Sequence, residues 1–293
     1  ALIFARVTKI EAPSIVLDGG EGVGRVTRRG LDQPVGAAAI NRVPREMIAA
    51  AVCAVCEELC YEGGVSVLIF VPNGAALAQK TFNENLGITG GISILGTSGI
   101  VEPMSVQALI DTKKLELHQL AVTNAHRVIL TPGNYGLDFL QNSKAVNLGN
   151  VPVIVCSNFI GELMDACAQE GFSEVLLVGH IGKLVKLAGG IMNTHSRWAD
   201  CRTELFCAHA AVCGANTALC RTLLQAATTD ACIALLLEAH LWDEVLQSLL
   251  ASIQSHLTQR AAGAYAVGAV LFSNEYGLLG TTMTAQEMMR KWN

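Results

Sequence analysis

Three short apolar runs, at residues 127–130, 151–156 and 175–178, are each followed by a polar turn and then by a segment of helical periodicity. This rhythm constrains the fold more than any other feature of the chain. Strand–helix–strand–helix at such spacing predicts a parallel sheet with helices on its faces. The turns read Thr-Pro-Gly-Asn-Tyr-Gly at 131–136, Ser-Asn-Phe-Ile-Gly at 157–161 and Gly-His-Ile-Gly at 179–182. All three follow the C-terminal ends of their strands, where open α/β sheets bind ligands. Neighbouring strands place such turns on one rim, so the three are expected to converge on a binding crevice.

The third turn opens the richest segment, residues 179–197, which carries His180, Lys183, Lys186, His195 and Arg197 among glycines. Glycines let a ligand approach the backbone, and a helix N-terminus offers free N–H groups to an anion. Asn134, Tyr135, Asn158 and Phe159 add amides that can hydrogen-bond and aromatic faces that can stack on an adenine. The crevice therefore suits an organic ligand with polar and aromatic parts and carboxylate or phosphate groups.

Before residue 122 the pattern is less regular. Strands are expected at 2–11, 14–17, 65–71 and 92–95, and helices at 44–61, 72–82 and 105–121, the last capped by Ser105. Glycine-rich turns fall at 18–25 and 96–103, the first expected to be a hairpin or bulge. Pro44 suits a helix's first position. Later helices are expected at 203–227, 229–239 and 241–259, then a closing hairpin over 266–279. The expected domains are 1–121, of α+β type, and 122–293, of α/β type.

Composition removes several functions. The formal net charge of −5 argues against a general nucleic-acid binder, which needs a basic footprint. Cations nevertheless cluster at Arg25, Arg28, Arg29, Arg42 and Arg45, and again at Lys183, Lys186, Arg197 and Arg202. Such clusters suit a small polyanionic ligand. No apolar stretch reaches membrane-spanning length uninterrupted. The ten cysteines do not form the framework of a small secreted domain, and Cys53-x-x-Cys56 reads as core helix. Reduced thiols without an export signal predict a cytoplasmic protein. No histidine pair has metal-ligand spacing, so no structural metal is expected. There is no G-x-G-x-x-G, Walker or G-x-S-x-G motif, and a Ser157–His triad has no support in spacing.

The segments 18–31 (DGGEGVGRVTRRGL), 40–48 (INRVPREMI), 81–105 (TFNENLGITGGISILGTSGIVEPMS), 130–136 (LTPGNYG), 156–165 (CSNFIGELMD) and 179–200 (GHIGKLVKLAGGIMNTHSRWAD) resemble the cobalt-precorrin-5B (C1)-methyltransferase family, CbiD, of anaerobic cobalamin biosynthesis. The resemblance implies an N-terminal domain like the second domain of ribosomal protein S5 and a C-terminal Rossmann-like methyltransferase unit. It implies S-adenosylmethionine as cofactor and a cobalt-precorrin macrocycle as substrate, methylated at C1 to give cobalt-precorrin-6A. On that reading Thr131, Gly133, Asn134, Tyr135, Ser157, Asn158, Phe159, Gly179 and His180 bind the donor. Arg25, Arg42, Arg45, Lys183 and Arg197 take macrocycle carboxylates, and His195 handles a proton. Asn134→Ala and Gly179→Val are expected to weaken donor binding with the fold intact. Family members usually begin with a segment resembling Cys-Gly-Tyr-Thr-Thr-Gly-Ser-Cys, absent here, so the chain is expected to be a fragment. The competing expectation is a non-catalytic corrinoid-intermediate carrier or inactive fragment, and a homo-oligomer is left open.

Overall fold

The computed structural model describes residues 1–81, 83–95, 106–142 and 148–292. The chain is mixed α/β and divides into two units, Ala1–Val122 and Thr123–Asn293. The turn expected at 96–103 and the Ser105 cap lie outside the described residues.

The first unit runs through β1 (Phe4–Ile10), β2 (Ile15–Gly19), β3 (Gly22–Val23), β4 (Arg25–Val26), α1 (Arg42–Glu58), β5 (Gly64–Phe70), α2 (Gly74–Ala78), β6 (Ile88–Thr89), β7 (Gly91–Ile92) and α3 (Val106–Val122). Its main sheet has the order β1-β5-β2, with β5 antiparallel to β1 and parallel to β2. Val65, Val67 and Ile69 alternate along β5 and point into a core with Val23, Ile40 and Val71. Ile48, Val52 and Cys56 of α1, four residues apart, pack against that core from one helix face.

The structure departs from the sequence expectations here in three places. Residues 18–25 form no hairpin: β3 pairs in parallel with β7, and β4 pairs antiparallel with β6. Helix α1 starts two residues before Pro44, which still lies in the first turn, where a missing N–H costs no hydrogen bond. Helix α1 is a covering helix rather than a core helix, with no buried residue and with Cys53 exposed, as is Cys60 just beyond its end.

The second unit contains β8 (Arg127–Thr131), α4 (Asn134–Asn142), β9 (Val153–Val155), α5 (Ile160–Gln169), β10 (Glu174–His180), α6 (Ile181–Leu184), a 3-10 turn (Val185–Gly189), α7 (Arg202–Val212), α8 (Thr217–Leu224), α9 (Thr229–Glu238), α10 (Trp242–Ala261), β11 (Ala266–Ser273), β12 (Gly277–Thr281) and α11 (Met283–Trp292). The sheet order is β12-β11-β10-β8-β9. Strands β9, β8, β10 and β11 are parallel neighbours and β12 is antiparallel to β11.

The four residues Val175, Leu176, Leu177 and Val178 are all fully buried, as expected for a strand covered on both faces. Leu176 and Val178 join Ile129, Val270 and Phe272 beneath α11, with Phe139 and Leu140 of α4 packed alongside. Helix α10 packs against β11 and α5.

Strand β11 was expected only as half of a hairpin. It also extends the parallel sheet as the neighbour of β10. The helix expected over 203–227 is broken in two, because Gly214 turns left-handed (φ 95°) and the Asn216 side chain caps α8 at the Leu219 amide.

Candidate functional site

From β8 the chain moves outward to β9 and then returns to place β10 on the other side of β8. The direction of winding therefore reverses between β8 and β10, and the crevice beyond their C-terminal ends is where open sheets bind ligands. A cavity of about 720 Å3 lies there. Its walls are residues 131–136, the segment 179–183 apart from Ile181, residues 228–230 at the start of α9, and Arg202 and Asp138. That volume suits a nucleoside-sized ligand.

Gly136 lets α4 lie against Thr131 within the first wall, and Gly179 lets the second wall close on the first at Pro132. A Cβ on Gly136 would stand 1.7 Å from Thr131 Oγ1, and one on Gly179 would stand 2.9 Å from Pro132 Cγ and 3.0 Å from Leu184 Cγ. The expectation that Gly179→Val leaves the fold intact is therefore corrected: the valine side chain meets packed atoms on both sides. Thr131, fully buried, donates its hydroxyl to the Gly133 carbonyl at 3.1 Å and holds the first turn in shape. Asn134 and Tyr135 begin α4 and are exposed on the rim.

His180 ends β10 and caps α6, its Nδ1 accepting the Gly182 N–H at 3.0 Å. That bond requires Nδ1 to be unprotonated. Burial lowers the imidazole pKa, and the Asp230 charge offsets part of the effect. The ring stands edge-on to Phe272, with centroids 5.7 Å apart, and tilted to Tyr135 at 6.3 Å. Lys183 donates to the Pro132 carbonyl, and burial lowers its pKa. No carboxylate among the described residues pairs with it.

The structure moves several expected residues away from this cavity. Ser157, Asn158 and Phe159 do not line it. Strand β9 lies at the sheet edge, on the side of β8 away from β10, so its turn faces elsewhere. That turn instead secures the segment after the 3-10 helix. Phe159 bridges Asn193, and Gly161 donates its N–H to the Met192 carbonyl. Asn158 accepts both the amide and the hydroxyl of Thr194. Ser157 takes a left-handed conformation (φ 55°) to make the corner.

His195 and Arg197 are exposed and lie outside the cavity, and His195 Nδ1 accepts the Arg197 N–H at 3.0 Å. The proton-handling expectation for His195 has no support in this geometry.

The N-terminal cations are also placed differently. Arg25 clamps Asp18 with two bonds, at 2.8 and 3.0 Å, and also donates to the Gly19 carbonyl. Asp18 is held below the usual carboxylate range, chiefly by its hydrogen bond to Arg25. Arg45 donates to three backbone carbonyls, those of Ile40, Leu17 and Ala38. These two guanidinium groups are engaged within the fold, so their bonding gives the macrocycle assignment no support. Arg42 is exposed and makes a loose i,i+4 pair with Glu46. Lys183 lies inside the cavity rather than on an open substrate surface.

The third wall, Thr228–Thr229–Asp230, was missed. Thr228 reads as a helix cap, and it does cap α9 by accepting the Ala231 N–H. Nothing local in that pattern says that the helix start returns to the sheet rim. Among the described residues no cluster of three or more His, Cys, Asp or Glu side chains could hold a metal.

The CbiD family model matches residues 1–103, and the model for the CbiD C-terminal domain matches residues 193–283. A protein of Ruminiclostridium cellulolyticum called cobalt-precorrin-5B C(1)-methyltransferase is 47% identical over 272 residues, covering 93% of this chain and 70% of its own length. The chain belongs to the CbiD family. A CbiD relative of the same name from Alkaliphilus metalliredigens is 42% identical, covering 98% of this chain and 74% of its own length. The crystal structure of a cobalamin biosynthesis protein (cbiD) from Archaeoglobus fulgidus is 26% identical and aligns over 67% of this chain and 59% of that one, with a TM-score of 0.28. Within this CbiD chain, Arg202 and residues 228–230 fall in the C-terminal match, whereas the turns at 131–136 and 179–183 fall between the two matched stretches.

Proposed function

We propose that the chain transfers a methyl group from S-adenosylmethionine to C1 of cobalt-precorrin-5B, giving cobalt-precorrin-6A in anaerobic cobalamin synthesis. The name shared by its close relatives supports the reaction. The observation that carries the site is the cavity at the β8/β10 crevice, lined by backbone-exposing glycines, an amide, an aromatic ring and a half-buried cation. We read residues 1–121 as the S5 domain 2-like unit and 122–293 as the methyltransferase-like unit, working in the cytoplasm. Among the described residues no helix is long and apolar enough to cross a membrane.

In this reading Thr131, Gly133, Gly179 and His180 shape the donor pocket. Asn134 and Tyr135 hold the adenine edge and face, and Lys183 takes the donor's carboxylate. A sulfonium supplies an electrophilic methyl group that needs little acid–base help. The protein's contribution is then alignment of donor and acceptor, which supplies most of the rate in such a displacement. Neutral His180 keeps the second wall rigid through its bond to Gly182. Exposed Arg197 and Arg42 are the remaining candidates for the substrate's carboxylates.

The test is calorimetric titration with S-adenosylhomocysteine, followed by methyl transfer to cobalt-precorrin-5B. Saturable binding and transfer support the reading. Binding of the macrocycle without any adenosyl ligand would make the chain a carrier instead.

A further inference from the structure

Two charges in the cavity lack an ionic partner among the described residues. Lys183 is half-buried and donates only to a neutral carbonyl, that of Pro132. Asp230, half-buried on the third wall, accepts only a neutral hydroxyl, Ser273 Oγ at 2.7 Å on its Oδ1. The other charges are accounted for: Arg202 is clamped by Asp200 through Nε and Nη2, and Asp138 is exposed to water. Beside Asp230, Thr229 carries its hydroxyl on a side chain that is only 4% exposed. A Cβ on Gly182 would come within 3.6 Å of that hydroxyl, so it stands against the second wall of the same cavity.

A half-buried cation and a half-buried anion that do not pair with each other leave two desolvation costs uncompensated. A ligand carrying both signs compensates both. We propose that Asp230 binds the ammonium of a dipolar, amino-acid-bearing ligand whose carboxylate is taken by Lys183, and so makes the cavity selective for the intact donor over nucleosides lacking the amino-acid group. This rests on the reading of the cavity as the methyl-donor site and adds the residue that sets its specificity.

Three ligands separate the contributions. S-Adenosylhomocysteine carries both charges, its decarboxylated thiopropylamine analogue only the ammonium, and 5′-methylthioadenosine neither. Titration calorimetry on wild type, Asp230→Asn, Lys183→Met and a control outside the cavity, the exposed Asp243→Asn, should show a crossed pattern. Asp230→Asn keeps the acceptor for Ser273 and should weaken both amine-bearing ligands by about tenfold or more, with 5′-methylthioadenosine unchanged. Lys183→Met should weaken S-adenosylhomocysteine alone, and Asp243→Asn should change nothing. If Asp230→Asn leaves the amine-bearing ligands unchanged, or weakens 5′-methylthioadenosine equally, the ammonium assignment is overturned while the donor site stands. If wild type binds none of the three, the donor-site reading fails and this inference fails with it.

Discussion

Thr194 is bound to Asn158 twice, through its amide to the Asn158 carbonyl at 3.0 Å and through its hydroxyl to Asn158 Oδ1 at 3.2 Å. This pairing gives the amide-bearing turn, which does not line the cavity, a structural task. Both Asn158 oxygens anchor the segment that carries His195 and Arg197. Asn158→Ala should therefore lower stability by about 1 kcal/mol while leaving S-adenosylhomocysteine affinity unchanged. Urea unfolding and titration of the same variant check both halves.

Lys186 secures the same segment from below. It is 3% exposed and donates to the carbonyls of Thr194 at 3.1 Å and Ala199 at 2.8 Å. Lys186→Met keeps the stem but leaves two carbonyls without their donor, so a loss of about 1–3 kcal/mol is expected. Hydrogen exchange should rise in residues 190–200 first.

Glu174 ties α11 to the start of β10. Its carboxylate accepts from Lys291 and from Trp292 Nε1 at 2.8 Å and pairs with Arg127 at 2.8 Å. Burial alone would raise its pKa, but Lys291, Trp292 and Arg127 more than offset that and hold it below the ordinary value of 4.5. The stabilisation is thus complete above about pH 4.5 and is lost as pH falls through the lowered value. Because Lys291 is exposed and Arg127 partly exposed, Glu174→Gln should cost only roughly 1 kcal/mol at neutral pH. The acid limb of the stability profile should also become shallower, as read by denaturation at several pH values.

His180 gives the cavity a pH dependence. Its pKa lies below the ordinary 6.5, so its contribution to stability is complete above that pH and is lost as pH falls through the folded-state value. Protonation at Nδ1 would break the bond to Gly182. Asp230→Asn removes a charge that raises this pKa, so the imidazole titration followed by NMR should shift further down. An upward shift would contradict the geometry.

The legible parts of the fold were those where side chains alone carry the information. The uninterrupted apolar run at 175–178 and the polar turn after it announced β10 and the second cavity wall. The strands of two residues in the first unit, β3, β4, β6 and β7, are too short for any periodicity to show. Strand order was not legible either. The Ser157–Phe159 turn resembles the Thr131–Gly136 turn in composition, and only the placement of β9 outside β8 separates their roles. Asp230 carries no signal in the sequence for the same reason, since its place in the cavity wall depends on where α9 starts in space. The arginines at 25 and 45 looked like anion binders because sequence does not show which carbonyls and carboxylates lie within their reach.

A crystal structure of the chain with S-adenosylhomocysteine tests the central claim most directly. The account predicts the nucleoside between residues 131–136 and 179–183, with its amino-acid group spanning Lys183 and Asp230. Density for the nucleoside against the 157–161 turn, or anywhere else with this cavity empty, would contradict it.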